Sequence, residues 1–436
     1  MTRRRWAVPV ATLFLLASVA APAVAADNAA VPPAAPPAAP VTWTLEDVTD
    51  IALKNQPLVK QSEADVEAAM ARKGQAQSAW YPWINLSTGY NRTRTYSAQT
   101  NENIVTPNEF VRGDLSWMLY DFGRTGASVD RADAFAAISR ENAATTREDV
   151  VFVAKVAFYN VLRAGKTLEF QRENLRQRES LYRQASAFYE AGVRAKIDVV
   201  RAEANLYDAR ALVGQAENDL RVARITLLQR IGVDGPADFR LAGKLPELTL
   251  PGTLQDWVAE AERNRPELRA LVEKERAATE SLRLARAGYL PYLVGTAGYG
   301  YGSEEVPLQQ NYGLSITLNY PLFSGFQTRE QAKESSATIS STRYEFIETK
   351  RRVRLQVEAS AYSVQEARER LAAREKEREA SAENLRLATA RYEVGAGDII
   401  EMTDAQAQMV RSETDTINTA FDFAVSHASL LRAMGR

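Results

Sequence analysis

The residues with the means to do chemistry are few. The 436-residue chain has no cysteine and one histidine, His427. Thiol catalysis, disulfides and cysteine-ligated zinc or iron–sulfur centres are therefore excluded, and a lone histidine in a helical segment reads as a packed or solvated side chain. Asp121-Phe122-Gly123 has the letters of a kinase metal-binding triplet, but no other kinase element accompanies it and it ends a strand-like run. Gly295, Gly298 and Gly300 fall inside an alternating strand and open no helix, which argues against a phosphate cradle. What remains is Glu401 and Asp404, three apart and so on one helix face. Paired carboxylates suit a hydrolase or a cation site; a hydrolase also needs a compact cleft, and a solvated acidic helix face needs neither. With 54 Lys plus Arg against 55 Asp plus Glu, the chain lacks the cationic excess of a nucleic-acid binder.

The elements that would position these groups begin after an export signal. Arg3, Arg4 and Arg5 precede an apolar run from Trp6 to about Ala21, and Ala23-Val24-Ala25 supplies small residues for a signal peptidase. Residues 1–25 read as a cleaved signal peptide. An amino-terminal anchor is the alternative, but the run is only about 16 residues, short of the ~20 that span a bilayer. Losing three arginines and no acid would take the formal charge from −1 to −4. Residues 26–41, almost entirely Ala and Pro from Ala29 to Pro40, form an extended leader. No later stretch is apolar enough for a transmembrane helix, so a spanning element downstream must be a strand.

Internal similarity organises the rest. Residues 44–90 align without a gap on 253–299, pairing Thr44 with Thr253, Asp47 with Asp256, Asn55 with Asn264, Pro57 with Pro266 and Gly89-Tyr90 with Gly298-Tyr299. Further on, Tyr189-Glu190 and Gly192 match Tyr392-Glu393 and Gly395. The chain is a tandem duplication, with repeats over 42–232 and 253–436 and a linker over 233–252. Each repeat reads as helix, strand, loop, strand, long helix, tip and long helix. Thr328 to Val394 contains neither Gly nor Pro, and Ala127 to Ala191 only Gly165. Helices so uninterrupted reach roughly 100 Å. Apolar residues recur every seven positions: Val161, Leu168, Leu175, Tyr182 and Tyr189 in one helix, Val364, Leu371, Leu385 and Tyr392 in its counterpart, with Arg378 the single polar break. That period gives left-handed coiled-coil packing, and a soluble coiled-coil rod would also satisfy it.

The strands point elsewhere. Tyr312, Leu314, Ile316, Leu318 and Tyr320 alternate with Asn311, Gly313, Ser315, Thr317 and Asn319, giving one apolar and one polar face. Leu293–Tyr301 is the expected partner strand, and Ile84–Thr93 and Val111–Leu119 are the equivalents in the first repeat. Trp80, Tyr81 and Trp83, mirrored by Tyr289 and Tyr292, sit beside the strands in the style of a membrane-interface girdle. A water-soluble sandwich with one buried face is the competing reading. Four strands cannot close a barrel, and open edges are forbidden in lipid. Closure therefore takes several chains: two give eight strands and a filled interior, three give twelve and a lumen.

The duplicated Asn-x-Pro of Asn55–Pro57 and Asn264–Pro266, with Tyr392-Glu393-Val394-Gly395 followed by Ile399-Ile400-Glu401 and Asp404-Ala405, resembles the TolC family of outer membrane efflux proteins. The likeness covers about Val41 to Gly435. It implies a mixed fold of α-helical coiled coil and transmembrane β. A homotrimer would form a twelve-stranded barrel in outer membrane lipid, continued by a long α-helical barrel in the periplasm. It implies a passive exit duct of a tripartite efflux or type I secretion system, docked on a periplasmic adaptor protein and an inner-membrane transporter. No catalytic residue, metal, cofactor or nucleic acid is expected. By the same resemblance, Gly192 and Gly395 are adaptor-docking tips, and Glu401 and Asp404 from each chain form an acidic ring that favours cations. Asp198 is the acid of an entrance latch. Its basic partner is missing: Gly397 stands there, so the latch is absent, weaker, or made by Arg194 or Lys196. A structural coiled-coil tether without an open pore is the alternative, but it has no use for the polar strand face.

Overall fold

The computed structural model describes residues 41–97, 99, 101–236, 238–243, 252–303 and 308–436. The expected signal peptide, the leader up to residue 40 and residues 244–251 of the linker lie outside the described residues. In chain order the first repeat holds β1 (Val41–Trp43), α1 (Leu45–Asn55), α2 (Pro57–Gln77), β2 (Trp83–Ser97), β3 (Glu102–Tyr120), α3 (Arg124–Glu190) and α4 (Lys196–Ile231). After β4 (Phe239–Leu241) the second follows with α5 (Leu254–Asn264), α6 (Pro266–Ala287), β5 (Tyr292–Ser303), β6 (Gln309–Asn319), α7 (Gln327–Glu393) and α8 (Ile399–Met434).

The single helix expected at the start of each repeat is two. α1 starts at a capping box, in which Thr44 Oγ1 accepts the Asp47 N–H at 3.2 Å and the Asp47 carboxylate accepts the Thr44 N–H at 2.9 Å. Thr253 and Asp256 repeat the box at α5. Pro57 and Pro266 then end these helices, because the proline ring holds Gln56 and Arg265 extended (ψ 121° and 119°), and α2 and α6 start with proline in the first turn. The duplicated Asn-x-Pro has a packing role here. α4 ends in a Schellman turn at Gly232 (φ +69°), and a Cβ there would lie 2.8 Å from the Asn55 carbonyl oxygen. Gln56 Nε2 donates to Arg230 O at 2.9 Å, and Arg265 Nη1 to Ala433 O at 3.1 Å in the second repeat. Each kink thus seats the end of the helix that returns from the tip.

α3 and α7 are 67 residues each, about 100 Å long. α3 packs along α4 and also along α8, which joins the two hairpins. In α7 the seven-residue seam stays in phase down to the buried Ala388 and Tyr392. In α3 it slips by one residue after Leu168, so that Gln171, Asn174, Arg178, Leu181 and Ala185 are buried and Tyr189 is exposed. Serving two partner helices moves the buried stripe between them, and three polar side chains ride in with it. The main apolar core gathers Val48, Ala52, Phe158, Leu227, Ile231 and Phe239 at the far end of the hairpins from the tips.

The four long strands form one antiparallel sheet in the order β2-β3-β5-β6, leaving β2 and β6 as open edges. β2 and β3 run farther than expected, to Ser97 and from Glu102, through residues with no apolar alternation to reveal them. Register places Ile84 beside Leu115, Leu115 beside Ala297 and Ala297 beside Leu314, so one face is apolar across all four strands. The register shifts between Met118 and Tyr120.

Candidate functional site

Among the described residues, nothing packs on the apolar face. Leu314 is 82 % exposed, Leu86 80 % and Ile84 74 %, values that water does not tolerate over a contiguous patch. Tyr90, Tyr299, Tyr301 and Tyr312 lie on this face toward the hairpin ends, by their register. At the opposite, helical end Tyr120 and Phe122 meet edge to face at 4.6 Å, as do Phe323 and Phe326 at 5.4 Å. An apolar band between two aromatic belts is the surface of a strand set in lipid. Of the four aromatics expected at the interface, Trp80 and Tyr289 precede their strands and are exposed. Trp83 pairs with Ser116 and Tyr292 with Asn319, which gives both the register of the polar face. Tyr292 lies half-buried under Arg124, whose guanidinium is 5.1 Å from the ring centre. Tyr120 and Tyr320 are the ones that continue the apolar face.

The polar face carries Asn85, Ser87, Arg112, Asp114, Thr296, Ser315 and Asn311 in one register. Arg112 Nε and Asp114 Oδ1 pair at 2.6 Å above a floor of glycine. A Cβ on Gly298 would sit 2.7 Å from Arg112 Nη2, and one on Gly300 2.4 Å from the Val111 carbonyl oxygen. The glycines let the ion pair lie flat against the wall. Oppositely charged residues two apart on a strand were a signal available in the sequence.

At the far end of the hairpins, Gly192 (φ +69°) and Gly395 (φ +78°) close the turns with open space about both. Each ends its helix in a Schellman pattern, Val193 N–H to Phe188 O and Ala396 N–H to Arg391 O, both 2.9 Å. The turns expose Val193 and Val394, the latter 79 % accessible. Asp198 is buried in the first turn of α4. In the first turn of α8, Glu401 pairs with Arg391 at 3.1 Å, its N–H capped by Asp398 at 2.8 Å, while Asp404 is exposed one turn on. Gly397 underlies this pair: a Cβ there would meet Arg391 Cβ at 3.1 Å and Glu401 Oε2 at 3.2 Å.

Arg194 joins the two tips. Its Nη2 donates to Tyr392 O at 3.1 Å and reaches Gly397 O at 3.4 Å, and its guanidinium stands 4.8 Å from the Tyr392 ring centre. Lys196 is exposed and makes no ion pair among the described residues. Burial pushes the Tyr392 phenol above its usual pKa, the Asp198 carboxylate adds to the rise and Arg194 opposes it. Arg194 and its acceptors are 198 and 203 residues apart, so local spacing could nominate the residue but not its partner.

Among the described residues no helix is long and apolar enough to cross a membrane, and no His, Asp and Glu cluster could hold a metal. One sheet with a lipid face and a water face, continued by long helical hairpins, belongs to the class of outer-membrane channels. Residues 48–233 and 257–436 match the model of the family described as "Outer membrane efflux protein". The chain belongs to that family, a family of channel proteins of the outer membrane that extend into the periplasm. It is 27 % identical to Protein CyaE of Bordetella pertussis, over 90 % of this chain and 84 % of that one. With the outer membrane protein TolC of Vibrio cholerae it shares 23 % identity over 90 % of each. A crystal structure of a membrane protein from Pseudomonas aeruginosa superposes with a TM-score of 0.81 at 26 % identity, over 91 % of both chains.

Proposed function

We propose that three copies of this chain close a twelve-stranded barrel in the outer membrane and a helical duct in the periplasm. The assembly acts as the passive exit of a tripartite efflux or type I secretion system. The observation that carries this is the sheet with two unpaired edges, β2 and β6, and opposite faces of opposite polarity. Unpaired edges cannot stand in lipid, and eight strands would leave only a filled interior for the Arg112–Asp114 pair, whereas twelve give a water-filled one. The exposed Val193 and Val394 beside Gly192 and Gly395 offer an apolar seat to a periplasmic adaptor. Glu401 and Asp404 face the entrance as an acidic ring, and Arg194 replaces the missing basic latch by clasping one tip to the other, over the Tyr392 that Asp198 approaches. The duct carries out no catalysis; the inner-membrane transporter supplies energy and selects the cargo.

The absence of native cysteine makes the test clean. Cysteine pairs placed along Ser87–Asn91 of β2 and Asn311–Ser315 of β6 should crosslink between chains under oxidation, in a ladder that ends at three copies. A ladder ending at two, or no ladder from folded protein, would refute the assembly.

A further inference from the structure

Beyond Tyr90, β2 places Arg92 and Arg94 on the same face as Ile84 and Leu86, the face that meets lipid. Both side chains are exposed, and neither makes an ion pair or hydrogen bond among the described residues. Arg112 on the opposite face, by contrast, is neutralised by Asp114 at 2.6 Å. Among the described residues of β3, the acid on the lipid side is Glu109, opposite Tyr90, and it pairs with neither arginine. Ile84 to Arg92 spans eight residues, about 27 Å along the strand at ~3.4 Å each and about 21 Å along the membrane normal at a ~40° tilt. An outer-membrane apolar band is about 25 Å tall. Arg92 therefore lies about 4 Å below the top of the band, a gap its long side chain can span, and Arg94 stands just above it. The helical hairpins run from the other end of the strands, so this boundary belongs to the outward-facing leaflet.

The geometry points to Arg92 and Arg94 as a binding surface for the phosphates of an outer-leaflet phosphorylated glycolipid. Alternate residues of one strand have Cα atoms about 7 Å apart, so the two guanidiniums rise from neighbouring points of one face, and each can engage a phosphate through two parallel N–H donors. A guanidinium without an ionic partner among the described residues gains from such a phosphate what the lumen-facing Arg112 draws from Asp114. The inference rests on the outer-membrane setting of the sheet and does not depend on the number of chains or on an open entrance.

Native mass spectrometry of the detergent-solubilised assembly tests it, with diphosphoryl lipid A, dephosphorylated lipid A and phosphatidylglycerol titrated in parallel. The expected result is binding of diphosphoryl lipid A at least tenfold tighter than of either other lipid. That margin should be lost in Arg92→Gln/Arg94→Gln and largely kept in Arg92→Lys/Arg94→Lys. Equal binding by the glutamine variant, or by the phosphate-free lipid, would overturn the proposal, and phosphatidylglycerol binding as tightly would reassign it to any phospholipid. Should the glutamine variant not assemble, the three-lipid comparison on the unaltered protein decides. Conductance of the same samples reports separately on the duct.

Discussion

Replacing Arg194 with alanine removes a side chain that ties the first hairpin's tip to the backbone of the second. The clasp comprises a charged hydrogen bond to Tyr392 O at 3.1 Å and a guanidinium 4.8 Å from the Tyr392 ring centre, with the Gly397 carbonyl farther off at 3.4 Å. A hydrogen bond from a charged donor contributes about 1.5–3 kcal/mol and an exposed cation–π contact about 0.5–1. Arg194 is half-buried, so solvent screening brings the sum down to about 2 kcal/mol per chain. If the entrance widens by parting the two tips, that energy shifts the equilibrium toward the open form about 30-fold per chain. Planar-bilayer recordings of reconstituted protein should show Arg194→Ala with a higher open probability. Arg194→Lys should fall between, since an ammonium keeps the charge and loses the planar fork. Unchanged gating in a folded Arg194→Ala assembly would show that the contact does not restrain the entrance.

Leu314→Arg, on the lipid face, should cost about 2–4 kcal/mol, whereas Ser315→Arg on the neighbouring polar position should cost little, both read from urea unfolding in bilayers. Gly232 and Gly192 share φ +69° but not surroundings. Alanine at Gly192 should lose only the left-handed penalty of about 1 kcal/mol, while Gly232→Ala adds about 1–3 for its collision with Asn55, a difference visible in thermal midpoints. Burial first, then the nearby Lys155 cation, hold the His427 imidazole below its usual pKa. The folded chain therefore keeps His427 neutral while the unfolded chain takes up a proton, so stability is full above the unfolded pKa of about 6.5 and falls as the pH drops below it. The urea midpoint of His427→Gln should fall less between pH 7 and pH 5 than that of the unaltered protein.

Most of the architecture was legible because it rests on periodic signals. Absence of Pro with only Gly126 and Gly165 marks α3, freedom from both Gly and Pro marks α7, period-two alternation marks β6, and self-similarity orders the rest. Three features escaped for physical reasons. The seam of α3 slips after Leu168 because the helix packs against α4 and α8 together, and polar Gln171, Asn174 and Arg178 occupy buried positions that a search for apolar periodicity passes over. Trp83 and Tyr292 were read by residue type, but register with Ser116 and Asn319 assigns them the polar face. At the tips, Glu401 and Asp404 were found as a pair on one helix face. The Arg391 that binds Glu401, and Gly397 whose lack of a side chain makes room for them, need three dimensions to connect.

Single-channel conductance of the purified protein in a planar bilayer, recorded beside Glu401→Ala/Asp404→Ala, tests the central claim most directly. A cation-selective pore whose selectivity falls in the double variant is the predicted result. No conductance from well-folded, oligomeric protein, in the unaltered chain and in Arg194→Ala alike, would contradict the reading of this chain as a duct.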